Sequence, residues 1–245
     1  MTSSRFFIRK ASLEGDVVEL EGREHHHLSR VARVEAGDRV QLFDEEGTDY
    51  DAEVEDVGER GTRLRVLGRK SGDQPRLPVV LAQAMLKSKA MELVIQKGTE
   101  IGLAAIVPVT AERSVARVED KADRKVERWQ AIAREAAKQC KNGFPPRISR
   151  PCSLEEAVGQ DLDGRRFYLS ETEGRDLGEV LRAGPEGGLR SPVLLLVGPE
   201  GGWSRAEEEF MRLRGCEAVS LGKRVLRAET AALCAASAVI LMWNG

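Results

Sequence analysis

No apolar run in this chain comes near the roughly 20 residues needed to cross a bilayer, and the opening MTSSRFFIRKAS lacks the apolar centre of a secretory signal. Both absences point to a soluble, cytoplasmic protein with no membrane partner. The four cysteines, Cys140, Cys152, Cys216 and Cys234, lie far apart and form no CxxC pair, which argues against a disulfide framework or a zinc site. There are only three histidines, and they are consecutive: His25, His26 and His27. Neighbours on a helix point about 100° apart, whereas metal ligands converge at i and i+3 or i+4, so no metal is expected. Aromatics make up 4% of the chain, and the net charge of −2 gives no overall sign of a nucleic-acid partner.

The charge is nevertheless unevenly spread. Residues 71–150 hold 15 Lys and Arg against 9 Asp and Glu, while 1–70 hold 12 against 16 and 151–245 hold 11 against 15. A basic middle between two acidic flanks is either a solvated face or a local, oriented contact with phosphate. From Arg5 to about Lys70 the chain reads as short strands (RFFIR, DVVEL, DRVQLF, TDYDAEVEDV, TRLRVLGR) broken by Gly-containing turns, with one helix over about Glu24–Val34. That grammar predicts a small, mostly antiparallel barrel or sandwich. SGDQPR, at 71–76, reads as a linker. From Leu77 onward apolar runs alternate with amphipathic stretches, including a basic helix over about Asp120–Lys141 and a closing helix over about Ala228–Met242, which predicts a parallel α/β sheet with helices on both faces. The expected domains are therefore 1–72 and 73–245.

The pentapeptide GPEGG occurs twice. The first copy follows Val180-Leu181-Arg182-Ala183, where Gly184 and Pro185 would stop a helix, so it reads as a surface loop in which Gly187→Ser should be nearly silent. The second follows Val193-Leu194-Leu195-Leu196-Val197, an unbroken apolar run of the kind buried in a parallel sheet. After it Ser204, with Glu207 three residues on, can form a capping box. Gly198, Pro199, Glu200, Gly201 and Gly202 thus form a turn between buried strand and helix, where α/β proteins place ligands. The spelling matches neither a dinucleotide fingerprint nor a P-loop. It is either a tight turn needing glycine or a backbone bared for a flat heterocycle.

A second cluster follows the next strand: Leu221-Gly222-Lys223-Arg224-Val225-Leu226-Arg227-Ala228-Glu229-Thr230. Glu229 and Thr230 could simply cap the helix after them. That helix, AALCAASAVILMW, is nearly all apolar and must be buried, which brings the polar cluster to the carboxyl edge of the sheet beside the first turn.

VGPEGGWSRAEEEF followed by LGKRVLRAETAALCA closely resembles the signature of the RsmE family, the SPOUT-class methyltransferases that methylate N3 of a uridine in small-subunit (16S) ribosomal RNA. LKSKAMELVIQKGTEIGLAAIVPVTAERS, REAAKQCKNGFPPRI and the N-terminal RFF, HHHLSRVAR and GDRVQLFD extend the resemblance over most of the chain. It implies a SPOUT-type parallel sheet with a C-terminal trefoil knot, preceded by a PUA-like RNA-binding β-barrel. It implies S-adenosylmethionine as cofactor, touched by Leu169, Ser170, Gly198, Pro199, Glu200, Gly201, Gly202, Leu221, Gly222, Leu226, Ala228 and Thr230, at a homodimer interface that would account for the apolar last helix. It further implies ribosomal RNA, naked or in an assembled 30S particle, as substrate. Arg224 and Arg227 would stabilise the developing imide anion and Glu229 or a water would accept the proton. Arg9, Arg33, Lys87, Lys89, Lys97, Arg113 and Lys141 would meet phosphates. Two other readings use the same residues: a non-catalytic dimeric RNA-binding protein, which predicts no cofactor affinity, and an α/β enzyme for a phosphorylated nucleotide, which lacks every phosphate-loop signature.

Overall fold

The computed structural model describes residues 5–71, 77–114, 122–159, 163–184 and 192–243. The first GPEGG, beyond Gly184, lies outside the described residues, as does most of the expected linker. Two compact units divide the chain, Met1–Gln74 with Ala137–Pro145, and Pro75–Ala136 with Pro146–Gly245.

The first unit is built on β1 (Arg5–Phe7), β2 (Leu13–Glu14), β3 (Val17–Glu21), β4 (Arg39–Phe43), β5 (Thr48–Val57) and β6 (Gly61–Ser71), in the sheet order β1-β4-β5-β6-β3-β2. All neighbours are antiparallel except β1 and β4. Alternation decides which side is core. On β6, Thr62, Leu64 and Val66 are buried between exposed Arg63, Arg65 and Leu67, and Leu64 and Val66 join Phe6, Leu28, Leu42 and Tyr50. The expected helix divides into α1 (Gly22–His26) and a π turn (His27–Ala32), closed by Arg33 in the left-handed conformation at φ 52°. His25 bonds Thr62 at 2.8 Å and His27 sets its ring edge on Phe6.

The sequence division left residues 137–145 wholly in the second domain, but their packing places them with the first. The guanidinium of Arg5, only 9% exposed, donates to the carbonyls of Ala137 (3.4 Å) and Asn142 (3.2 Å), pairs with Asp49 and lies over the Phe43 ring at 4.2 Å. Lys138 reaches Glu24 at 2.5 Å. A buried cation needs such partners, and for Arg5 two of them, Ala137 O and Asn142 O, come from the last turn of the basic helix and the residues just past it.

The second unit holds β7 (Val79–Ala84), β8 (Ala105–Thr110), β9 (Arg147–Ile148), β10 (Cys152–Ser153), β11 (Arg165–Leu169), β12 (Arg175–Asp176), β13 (Val193–Val197) and β14 (Glu217–Ser220). Their order is β10-β8-β7-β13-β11-β14-β12, with β9 against β8, and every pairing is parallel. Successive side chains feed opposite faces. Val79, Leu81, Ile106, Leu195 and Val197 enter one core; Val80, Ala82, Val107, Leu194 and Leu196 enter the other. The helices are α2 (Ser88–Ile101), α3 (Ala122–Cys140), α4 (Leu154–Gly159), α5 (Leu177–Arg182), α6 (Arg205–Leu213) and α7 (Ala228–Trp243). α2, α5 and α7 cover the first face, and α4 and α6 contribute Leu154, Ala157, Val158 and Met211 to the second.

The apolarity of α7 is met largely within the chain. Ala228, Ala232, Ala235, Ala236, Val239 and Trp243 are buried with α2, α5, β7 and β13, and the Trp243 indole donates to Leu181 O at 3.0 Å. Cys234, Leu241 and Met242 remain exposed on its outer side. Among the described residues no helix is long and apolar enough to cross a membrane.

Candidate active site

Three neighbouring strands, β13, β11 and β14, point their carboxyl ends the same way. The turns leaving them therefore gather at one place, the crevice where parallel sheets accept ligands. Leu169 and Ser170 leave β11, Gly198 to Gly202 leave β13, and Leu221 to Arg227 leave β14. Together they line a cleft of about 1090 Å³, large enough for a nucleoside-sized cofactor together with a target base.

The GPEGG turn is shaped by backbone conformation. Gly202 N donates to Pro199 O at 2.9 Å and Gly202 sits at φ +67°, a region where a side chain is strained. Gly198 and Pro199 are buried. A Cβ on Gly198 would lie 3.3 to 3.4 Å from the Trp203 ring, so the bare glycine lets the indole close over the strand end. Beneath, the amide of fully buried Gln83 donates to Val197 O (3.3 Å) and Gly198 O (3.4 Å). Ser204 starts α6 with both halves of the capping box, its hydroxyl accepting from Glu207 N and the Glu207 carboxylate from Ser204 N.

Ser170 is 8% exposed. Its hydroxyl donates to Glu208 Oε1 at 2.9 Å and accepts from the amides of Thr172 and Glu173 at 3.3 Å, so the side chain holds a cleft carboxylate and a turn in place. One residue earlier Tyr168 donates to Glu173 at 3.0 Å, and burial followed by that bond push its phenol up to about 12.

Of the expected cofactor contacts, all but one line the cleft. Thr230 does not: it is exposed, on a face of α7 turned away from its neighbours Ala228 and Glu229, which do. Arg224, Arg227 and Glu229 line it together. Of the expected RNA contacts, Lys87, Lys89 and Arg113 are at the same cleft. Lys97 is not, and its ammonium is held by Glu100 at 2.8 Å. Arg9, Arg33 and Lys141 are exposed on the first unit. Sequence reasoning missed Trp203, Arg205, Glu208, Glu171, Thr172 and Leu93, which also face the cleft. Only the Trp203 position, directly after a glycine turn, carried a local signal. Among the described residues no group of three His, Cys, Asp or Glu is placed to hold a metal.

Residues 73–240 match the family described as RNA methyltransferase domain, and residues 20–67 match the RNA methyltransferase PUA domain. The chain is 32% identical to the ribosomal RNA small subunit methyltransferase E of Bacillus subtilis, across 96% of this chain and 95% of that one. It is also 32% identical to the protein of the same name from Mycobacterium bovis, across 98% and 92%. The crystal structure of a ribosomal RNA small subunit methyltransferase E from Neisseria gonorrhoeae bound to S-adenosyl methionine superposes with a TM-score of 0.87 at 28% identity, covering 98% of each chain. With one family's methyltransferase domain spanning well over half of its length and a PUA domain ahead of it, this chain belongs to the ribosomal RNA small subunit methyltransferase E (RsmE) family of RNA methyltransferases.

Proposed function

We propose that the protein uses S-adenosylmethionine to methylate N3 of a uridine in 16S ribosomal RNA. The observation that carries this reading is the convergence of three turns, from β11, β13 and β14, on one cleft that also holds Arg224, Arg227 and Glu229. The wall chemistry suits the cofactor. Leu169, Leu221, Leu226 and Ala228 offer apolar surface to an adenine, Gly198 to Gly202 offer bare main chain, and the carboxylates of Glu171 and Glu208 suit a cationic ligand. Trp203 Nε1 is a buried donor on the same wall without a hydrogen-bond partner, as expected where a ligand completes the site. The cofactor supplies an electrophilic methyl group.

The chain's own residues then have two tasks. The base must be held with N3 facing the donor, and its imide proton must leave. Arg224 and Arg227, exposed at the mouth, stabilise negative charge developing on the base, and Glu229, half-buried beside them, accepts the proton directly or through water. Lys87 and Lys89 meet the RNA backbone at the rim, and Arg9, Arg33 and Lys141 do so on the first unit. A base must leave its stack to enter the cleft, which favours single-stranded or assembled-subunit RNA. The trefoil knot and the homodimer belong to this proposal. Exposed Leu241 and Met242 of α7 and exposed Val225 at the cleft mouth are apolar surface that a second copy would cover. A cytoplasmic location belongs to the same proposal, since it is where ribosomal RNA would be met.

The test is transfer of labelled methyl from S-adenosylmethionine to 16S RNA and to 30S particles, with the modified nucleoside identified after digestion. Arg227→Ala should lower turnover about 100-fold, the scale of one lost electrostatic contact in a transition state, with cofactor and RNA affinities kept. Normal turnover in that variant would remove Arg227 from the mechanism, and 5-methyluridine as product would rule out N3.

A further inference from the structure

Arg113 reads from sequence as a phosphate contact, but its position gives it a second task. β8 ends in a tight turn, Ala111 to Ser114, closed by Ser114 N to Ala111 O (3.0 Å) and Ala111 N to Ser114 Oγ (3.2 Å). This turn is stapled to the GPEGG segment at two points. Glu112 N donates to Glu207 Oε1 at 2.8 Å, while the other oxygen of the same carboxylate accepts from Ser204 N at 2.8 Å. Arg113 Nη1 donates to both Gly201 O and Trp203 O, each at 3.1 Å. The approach is close: a Cβ on Gly201 would lie 3.3 Å from Arg113 Cβ. The two segments are 88 residues or more apart in the chain, so nothing local dictates the contact.

A guanidinium carries five N–H donors in a planar fork. Nη1 serves the two carbonyls, and the exposed side chain lines the same cleft as Lys87 and Lys89, so the rest of the fork is available to a further acceptor. Resting on the methyltransferase reading above, we propose that Arg113 is a positioning residue that couples the substrate to the cofactor: through Nη1 it fixes the loop of Gly198 to Gly202, and through Nη2 and Nε it takes an RNA phosphate. Anchoring the fork on a phosphate holds the loop more firmly, so RNA strengthens cofactor binding, and by linkage the cofactor strengthens RNA binding by the same factor.

The experiment compares the full-length wild type with Arg113→Met and Arg113→Lys. Equilibrium dialysis with radiolabelled S-adenosylmethionine is run without and with 16S RNA, and hydrogen exchange of the Gly201–Ser204 amides is followed without ligand. In the wild type, RNA should tighten cofactor binding. In Arg113→Met the cofactor should bind about tenfold more weakly without RNA, the tightening by RNA should vanish, and exchange at Gly201–Ser204 should quicken. KM for the cofactor should rise while kcat at saturation stays within about threefold. Lysine is a single point charge and cannot span two carbonyls and a phosphate, so Arg113→Lys should keep most RNA affinity without restoring the tightening. Wild-type-like cofactor affinity and exchange in Arg113→Met, with only RNA affinity reduced, would overturn the proposal, leaving a phosphate contact alone. Weakened cofactor binding with the RNA effect intact would overturn the coupling. A wild type that binds no cofactor, with or without RNA, would sink the methyltransferase reading and the coupling with it; the ligand-free exchange data would still decide whether Arg113 holds the loop.

Discussion

Gly201→Ser is the sharpest test of where the cofactor sits. Gly201 is not in the left-handed region, so a side chain there meets a steric limit and no backbone strain. Its Cβ would lie 3.3 Å from Arg113 Cβ and 3.6 Å from Arg113 Cδ, and the Cβ, close to the main chain, has little freedom to move. Displacing Arg113 by a few tenths of an ångström stretches its bonds to Gly201 O and Trp203 O, now 3.1 Å each. A protein hydrogen bond contributes about 0.5–1.5 kcal/mol net, and these two are solvent-exposed on the arginine side, so losing most of both costs about 1–2 kcal/mol. If the loop must be ordered to bind, that is roughly a 5- to 30-fold weaker dissociation constant for S-adenosylmethionine. A loss of that size in a chain of this length should move the melting midpoint by about 2–8 °C, leaving the protein folded at assay temperature. Isothermal titration beside a thermal melt measures both, with Gly187→Ser in the first GPEGG as a control of identical local sequence. A folded Gly201→Ser protein that binds the cofactor within twofold of wild type would refute the placement.

Two further outcomes are expected. The chain has two tyrosines, and both phenols are pushed up to about 12, Tyr168 by burial and Glu173, Tyr50 by burial and the fully buried Asp44 that accepts its proton at 2.7 Å. A phenol with a raised pKa contributes stability that is fully present below pH 10 and is lost as pH climbs through about 12; tyrosinate absorbance should stay flat at pH 10 and appear together with unfolding near 12, and a rise at pH 10 in folded protein would contradict this. Lys87→Ala with Lys89→Ala should reduce the slope of log affinity for RNA against log salt by about 1.4–1.8, the release expected from two phosphate contacts, and an unchanged slope would remove both lysines from the interface.

The strands and the turns at the cleft were readable because their signals are local. Val193–Val197 announces a doubly buried strand by its unbroken apolar run, and Ser204 with Glu207 announces the helix start; both stand where expected. The convergence of the two C-terminal clusters follows from parallel pairing, which makes β13, β11 and β14 neighbours with a common direction. Side-chain partnerships were not readable. Arg113 with Gly201, Glu112 with Glu207 and Ser170 with Glu208 join residues that only the folded sheet brings together. Lys97 illustrates a local signal passed over, since Glu100 stands three residues on, within reach on the same helix. The last helix was only half legible: a stretch this apolar fits a subunit interface and a chain's own core equally well, and Ala232, Ala235 and Val239 go to the core while Leu241 and Met242 stay exposed.

The membership of residues 137–145 in the first unit gives this protein a schedule as well as a shape. Arg5 is synthesised 132 residues ahead of Ala137, yet two of the carbonyls that satisfy its buried guanidinium belong to Ala137 and Asn142. At about 5–20 residues per second, the stretch from Gln74 to Pro145 takes roughly 4–14 s to synthesise. Throughout that interval the nascent first sheet carries an arginine without two of its final partners. A fragment cut at residue 72 lacks those carbonyls, so the first unit of this chain is complete only with the segment Ala137–Pro145 supplied, by fusion or as a separate peptide.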